Sequence, residues 1–174
     1  RDLYQGTAAN QPILTIAASG NYLTFDGSND YLKAAAFSLS QPETVYFVGS
    51  QVTWTINDGI YDGNSSNESM SLFQSGSTPN LNLFAGGGGS VINGGLALGV
   101  NGIVTSVFSG TVSTNRVNRT VAVVATGNPG GNPANGFILG ANRLLGAPAN
   151  ITAQEVLVYS TAQDENYQYR VTRL

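Results

Sequence analysis

Short runs of apolar and β-branched residues, each cut off by a cluster of Gly, Asn, Asp or Ser, set the rhythm of this chain. Such spacing predicts an antiparallel sandwich or barrel. Residues 13–17 and 22–25 read as the first strands, and Asp26-Gly27-Ser28-Asn29 turns the chain into residues 30–33. Residues 43–52 form the longest early run. Val45-Tyr46-Phe47-Val48 at its centre is apolar at consecutive positions, which predicts a central strand covered on both faces.

Residues 69–74 and 80–85 follow. The second alternates, with Leu81 and Leu83 on one face and Asn80 and Asn82 on the other, as a strand with one wet face does. Residues 96–100 and 103–108 flank Asn101-Gly102, a dipeptide suited to the positive φ angles of a tight hairpin turn. Residues 119–125, 137–139 and 151–159 complete the predicted strands. One short helix is predicted over residues 162–171. Ser160 or Thr161 would cap it, and Asp164 and Glu165 would lie at the positive end of its dipole. Residues 3–10 read as an opening loop or edge segment.

With 174 residues the chain is the size of a single domain. A domain this long buries about 70% of its unfolded surface and needs no disulfide or metal to fold. Charged residues make up only 10% of it, against about 25% in an average soluble domain. Asn, Gln, Ser and Thr carry the polarity instead, which suits packing against sugars or sister subunits as well as ordinary strands and turns. Net charge is −3, and the seven basic residues form no cluster, so nucleic acid is not an expected partner. No apolar run approaches the ~20 residues of a membrane-spanning helix, so membrane insertion is not expected either. Gly86 to Gly89 lack the following Lys-Ser or Lys-Thr of a phosphate loop and read as a flexible connection.

Three stretches carry a resemblance. Tyr22-Leu23-Thr24-Phe25-Asp26-Gly27-Ser28-Asn29-Asp30-Tyr31-Leu32 resembles a segment of laminin G-like, concanavalin A-like domains. Gly136-Phe137-Ile138-Leu139-Gly140-Ala141 and Gln154-Glu155-Val156-Leu157-Val158-Tyr159 look like that family's penultimate and closing strands, the latter running into a short terminal helix. Val121-Ala122-Val123-Val124 falls where the family has a His-containing strand, but here the preceding residue is Thr120. The resemblance covers residues 8–174. It implies an all-β fold, a two-sheet antiparallel jelly-roll sandwich with a short C-terminal helix, as one domain over residues 1–174. It also implies an extracellular setting, on a bacterial surface or in a bacteriophage tail or virion. A fold so widely shared does not fix a function.

The chain has no His and no Cys, which removes Ser-His-Asp and Cys-His catalysis and the usual zinc ligands. Glycosidase chemistry would need two facing carboxylates. Glu155 is alone on the closing strand and Glu43 likewise stands alone, so a non-catalytic chain is expected, with a glycan hydrolase or lyase as the remote alternative. Sugar recognition needs an aromatic face and hydrogen-bonding groups beside it. Trp54, Asn57, Asp58 and Tyr61, within residues 51–67, are the candidate ligand-binding set; Trp54 would serve equally well in the core. Asp58, Asp62, Asn64 and Glu68 lie in an oxygen-rich loop and are the candidate calcium ligands, against the favoured reading of a solvated hairpin loop. No cofactor is required, and calcium is the one candidate. The sequence therefore predicts a recognition module for glycans or cell-surface polysaccharide. A self-assembling structural subunit, packed against sister subunits or other virion or surface proteins, is the alternative.

Overall fold

The computed structural model describes residues 2–18, 20–64, 69–88, 90–92, 94–118, 123–124 and 127–163. The regular structure of the described residues is almost all strand. In order they are β1 (Leu3–Tyr4), β2 (Ile13–Thr15), β3 (Tyr22–Asp26), β4 (Leu32–Ala34), β5 (Ser38–Leu39) and β6 (Glu43–Gln51). Next come β7 (Gly59–Asp62), β8 (Ser71–Gln74), β9 (Leu81–Phe84), β10 (Ser90–Ile92) and β11 (Gly102–Phe108). The series closes with β12 (Thr114–Val117), β13 (Val123–Val124), β14 (Ala134–Asn135), β15 (Ile138–Leu139) and β16 (Asn150–Tyr159). One turn of 3-10 helix spans Ala8–Asn10. Among the described residues no helix is long and apolar enough to cross a membrane.

Two seven-stranded sheets face each other. The first runs β1-β4-β15-β7-β8-β9-β10 and the second β13-β12-β11-β6-β16-β3-β2, and β14 pairs with β5 beside them. All named strand pairs are antiparallel. This is a two-sheet jelly-roll sandwich, one of the two architectures the strand rhythm predicts and the one the resemblance implies. The core lies between the sheets and is built from alternate positions: Val45 and Phe47 of β6, Leu72 of β8, Leu81 and Leu83 of β9, and Ile151 and Ala153 of β16. β6 pairs with β11 on one edge and β16 on the other, and its apolar run is buried on both faces: Val45 and Phe47 lie in the core, and Tyr46 on the other face is also buried, its ring edge-on to Tyr159.

Two of the stretches that carry the resemblance, residues 22–32 and 136–141, meet in space. Asp26 Oδ1 accepts the Ser28 N–H at 2.7 Å, and Asp30 Oδ2 accepts the Asp26 N–H at 3.0 Å, so the turn closes on its own carboxylates. The Phe25 ring then packs on Gly140, where a Cβ would lie 2.3 Å from Phe25 Cδ1. Only a glycine permits that approach.

Two expectations change. Residues 96–100 form a turn rather than a strand: Val100 N–H donates to Ala97 O, and Asn101-Gly102 leads into β11 instead of joining two strands. Gly86 and Gly87 are packed rather than free. Gly87 N–H donates to Pro129 O and Asn132 N–H to Ala85 O, and a Cβ on Gly87 would sit 2.2 Å from Asn128 O. The predicted strand over residues 119–125 is described only at Val123–Val124. The predicted helix, from residue 164 onward, lies outside the described residues. Before it, the Thr44 hydroxyl donates to Thr161 O at 2.8 Å and accepts the Gln163 N–H at 3.0 Å, holding the chain beyond β16 against β6.

Candidate functional site

A cleft of about 250 Å³ opens on the outer face of the first sheet. Its side chains come from β7, β8 and β9 and from two loops. Leu72, Leu81 and Leu83 are fully buried on the inner face. Their neighbours Phe73, Asn82 and Phe84 are half-buried and point the other way. Register sets Ser71 opposite Phe84 and Phe73 opposite Asn82, so the two phenyl groups lie on adjacent strands in a diagonal. Phe73 and Phe84 line the cleft with Asp62, Ser71, Asn57, Asn142 and Arg143.

Asp62 is its most constrained group. The side chain is 4% exposed. Its Oδ1 accepts the Gly63 N–H at 2.7 Å and the Ser71 hydroxyl, and its Oδ2 accepts the Arg143 N–H at 2.8 Å. Burial pushes its carboxyl above the usual range; those three donors and the Arg143 charge pull it back.

The loop carrying Asn142 and Arg143 is fixed by its own hydrogen bonds. Asn142 Oδ1 accepts the Leu144 and Gly146 N–H groups, both at 3.0 Å. Leu145 and Ala147 hold φ values of 60° and 45°, which non-glycine residues seldom adopt. The loop sits directly on Gly59, whose N–H donates to Ala147 O at 2.8 Å, and a Cβ on Gly59 would lie 2.8 Å from Ala141 C. The opposite loop, residues 52–58, is held by Gln74. Gln74 Oε1 accepts the Thr55 N–H, Gln74 Nε2 donates to Thr53 O, and Gln74 O accepts the Asn57 N–H. Asn57, with φ 73°, is thereby set at the rim.

Asn57 and Asp62 of the sequence candidates line this cleft; Trp54, Asp58 and Asn64 do not. Trp54 is half-buried and packs against the core. Asp58 is partly buried, which raises its carboxyl, while a hydrogen bond with the Thr55 side chain lowers it. Tyr61 departs from its proposed place at a surface site. It borders the floor of the cleft, but it is wholly buried and its ring stacks on Phe137 with centroids 5.6 Å apart. β7 is irregular between Gly59 and Tyr61, and that turns the ring inward. Among the described residues no group of three acids lies together, and residues 65–68 of the candidate calcium loop lie outside them. Glu68 lies outside the described residues.

Ser71, Phe73, Phe84, Asn142 and Arg143 were not among the sequence candidates. One signal was present. The alternation that puts Asn80 and Asn82 on the wet face of β9 also puts Phe84 there. Arg143 had no such signal, because an 81-residue separation joins it to Asp62.

No protein-family model matches the chain, and no curated protein matches it. Solved structures do. A native heptameric SAP-like pentraxin from Limulus polyphemus superposes with a TM-score of 0.62 at 12% identity, over 86% of this chain and 80% of that one. Trypanosoma rangeli sialidase in complex with sialic acid gives 0.62 at 13% identity, over 87% of this chain but 27% of the sialidase. The binding domain of botulinum neurotoxin DC in complex with SialylT gives 0.62 at 11% identity, over 94% of this chain and 44% of that one. At such identities the likeness is one of fold.

Proposed function

We propose that this chain is a glycan-recognition module whose binding site is the cleft lined by Phe73 and Phe84. The observation that carries the reading is this pair of phenyl groups on the solvent side of a sheet, where alternation calls for polar residues. Their faces offer flat apolar surfaces to the C–H groups of a sugar ring, and Asn57, Asn142, Arg143 and Asp62 surround them with hydrogen-bonding groups. Asp62 is held by its three donors before any ligand arrives, which keeps the ordering cost of binding low. Two of the similar folds were solved with sialic acid or SialylT, which supports a carbohydrate ligand without specifying one here.

The reading is non-catalytic. Asp62 is the one acid among the described residues lining the cleft, whereas both glycosidase geometries use two carboxyl groups. Such a module belongs outside the cell, as an adhesion element of a bacterial surface or of a phage tail or virion, which is the setting the sequence resemblance implies. The test is a broad glycan array probed with the intact chain, with and without calcium, followed by calorimetry on each positive sugar. Binding lost in Phe84→Ala and kept in Trp54→Ala supports the site. Binding lost in the Trp54 variant and kept in the Phe84 variant, both folded, moves recognition to the 52–58 loop, and array-wide silence rejects the glycan reading.

A further inference from the structure

We propose that the sugar taken by the cleft is the headgroup of a lipid, and that the loops around the cleft rest on the bilayer carrying it. This deepens the glycan reading of the cleft and depends on it. Three loops meet at one end of the sandwich: residues 52–58, 94–101 and 142–149. Backbone hydrogen bonds draw them together, from Gly99 N–H to Gln51 O, from Val52 N–H to Asn150 O and from Gly59 N–H to Ala147 O. Six of the eleven exposed large apolar side chains among the described residues stand on these loops: Val52, Ile56, Leu98, Val100, Leu144 and Leu145. Leu144 is 73% exposed, Ile56 54% and Val100 50%. The only charged residues on the three loops are Asp58 and Arg143.

A single exposed leucine needs no explanation, but these side chains are held outward by built contacts. Asn142 Oδ1 accepts the Leu144 N–H, and Leu145 keeps a strained φ of 60° although its side chain is exposed. Ile56 sits between Thr55 and Asn57, whose N–H groups are both taken by Gln74. The apolar tips are thus presented in place, which keeps the ordering cost of contact low. Continuity with the cleft identifies what they touch. Asn57 lines the cleft from the first of these loops, and Asn142 and Arg143 line it from the third. Whatever a bound sugar is joined to is therefore brought against Ile56, Leu144 and Leu145. A longer polysaccharide would set its hydroxyl groups against hydrocarbon there. A lipid brings apolar chains, and a fluid bilayer receives side chains from separate loops without the fitted surface that a protein partner needs. The contact is shallow and spans nothing. Sugar and bilayer are two weak attachments made together, the pairing that stable membrane anchoring takes.

The test measures binding of the intact chain to three probes. They are the strongest array-positive oligosaccharide free in solution, the same sugar lipid-linked in phosphatidylcholine vesicles, and the same sugar on a protein carrier at matched density. The vesicles should bind about a hundredfold tighter than the free sugar, a gain that the protein carrier does not reproduce. Leu144→Ser and Ile56→Ser, both at exposed positions, should each lose most of that gain and keep their affinity for the free sugar. Phe84→Ala should lose binding to all three probes. Circular dichroism verifies that the variants fold. Equal affinity for free and vesicle-borne sugar overturns this proposal and leaves the glycan site standing. So does a vesicle gain that neither serine variant reduces. A gain on the protein carrier alone assigns the tips to a protein partner and overturns it too. Array-wide silence removes the glycan reading and this proposal with it.

Discussion

Gln74 Nε2 donates to Gln51 Oε1 at 2.9 Å, a buried amide contact that crosses the gap between the two sheets. Gln51 passes the connection on, since its own Nε2 donates to Leu96 O at 2.9 Å. The same Gln74 side chain binds Thr53 and Thr55, so one residue couples the sandwich interior to the loop that presents Asn57. Gln74→Leu would leave the amide of Gln51 and the backbone groups of residues 53 and 55 without their partner. A stability loss of about 1–3 kcal/mol is expected. Urea unfolding should show it as a lower midpoint with an unchanged slope, and sugar affinity should fall as the loop that presents Asn57 loses its Thr53 and Thr55 contacts.

Phe73 and Phe84 are half-buried on a wet face, so truncating either removes little core. Phe84→Ala and Phe73→Ala should each weaken binding of a cognate sugar by about tenfold, the equivalent of roughly 1.4 kcal/mol. Thermal stability should change much less than it does for Leu83→Ala, whose side chain is fully buried. Calorimetry and melting curves on the three variants check both halves.

Ala147 holds φ 45° in the loop above Gly59, a conformation that costs an alanine roughly 1 kcal/mol or more. Ala147→Gly should therefore stabilise the protein or leave it unchanged, against the usual cost of added glycine. Gly59→Ala should do the reverse, since the new Cβ meets the backbone of Ala141 and Asn142 at 2.8 Å. A loss of about 1–3 kcal/mol is expected, with weaker sugar binding as Arg143 is displaced.

Glu43 is wholly buried at the start of β6, and neither of its carboxyl oxygens has a hydrogen-bond partner among the described residues. Burial raises its carboxyl from 4.5 to about 8. Between those values the folded chain keeps a proton that the unfolded chain releases. Stability is thus full below pH 4.5, declines as pH rises, and levels off above about pH 8. Burial also raises Asp30 and Asp62, which adds to the same trend. The decline assignable to Glu43 is on the order of a few kcal/mol. Glu43→Gln should flatten it, as read by urea unfolding across that pH window.

The sandwich was legible because its signals are local. Alternation on β9, the double-sided apolar run of β6 and the Asp26-Gly27 turn each report on their own few residues. The very short strands β1, β5 and β14 were not, since two residues establish no period. The cleft was half legible. Trp54 drew attention as the single tryptophan, yet its surface went to the core, while two ordinary phenylalanines took the solvent side. Tyr61 was misplaced because the irregularity in β7 changes which way its ring faces, and neighbouring residues do not announce that. Asp62, one of the candidate calcium ligands, accepts the Arg143 N–H, and only the folded chain brings the two together.

β16 lies at the heart of the second sheet, between β6 and β3, although it is the last described strand in chain order. A nascent chain leaving the ribosome has already released β3 and β6 long before the strand that joins them exists. Until residue 159 has emerged, both present open edges and the core residues Phe25, Val45 and Phe47 lack their cover. Chaperone dependence during synthesis, and aggregation of translation products that stop short of β16, follow from that order of strands.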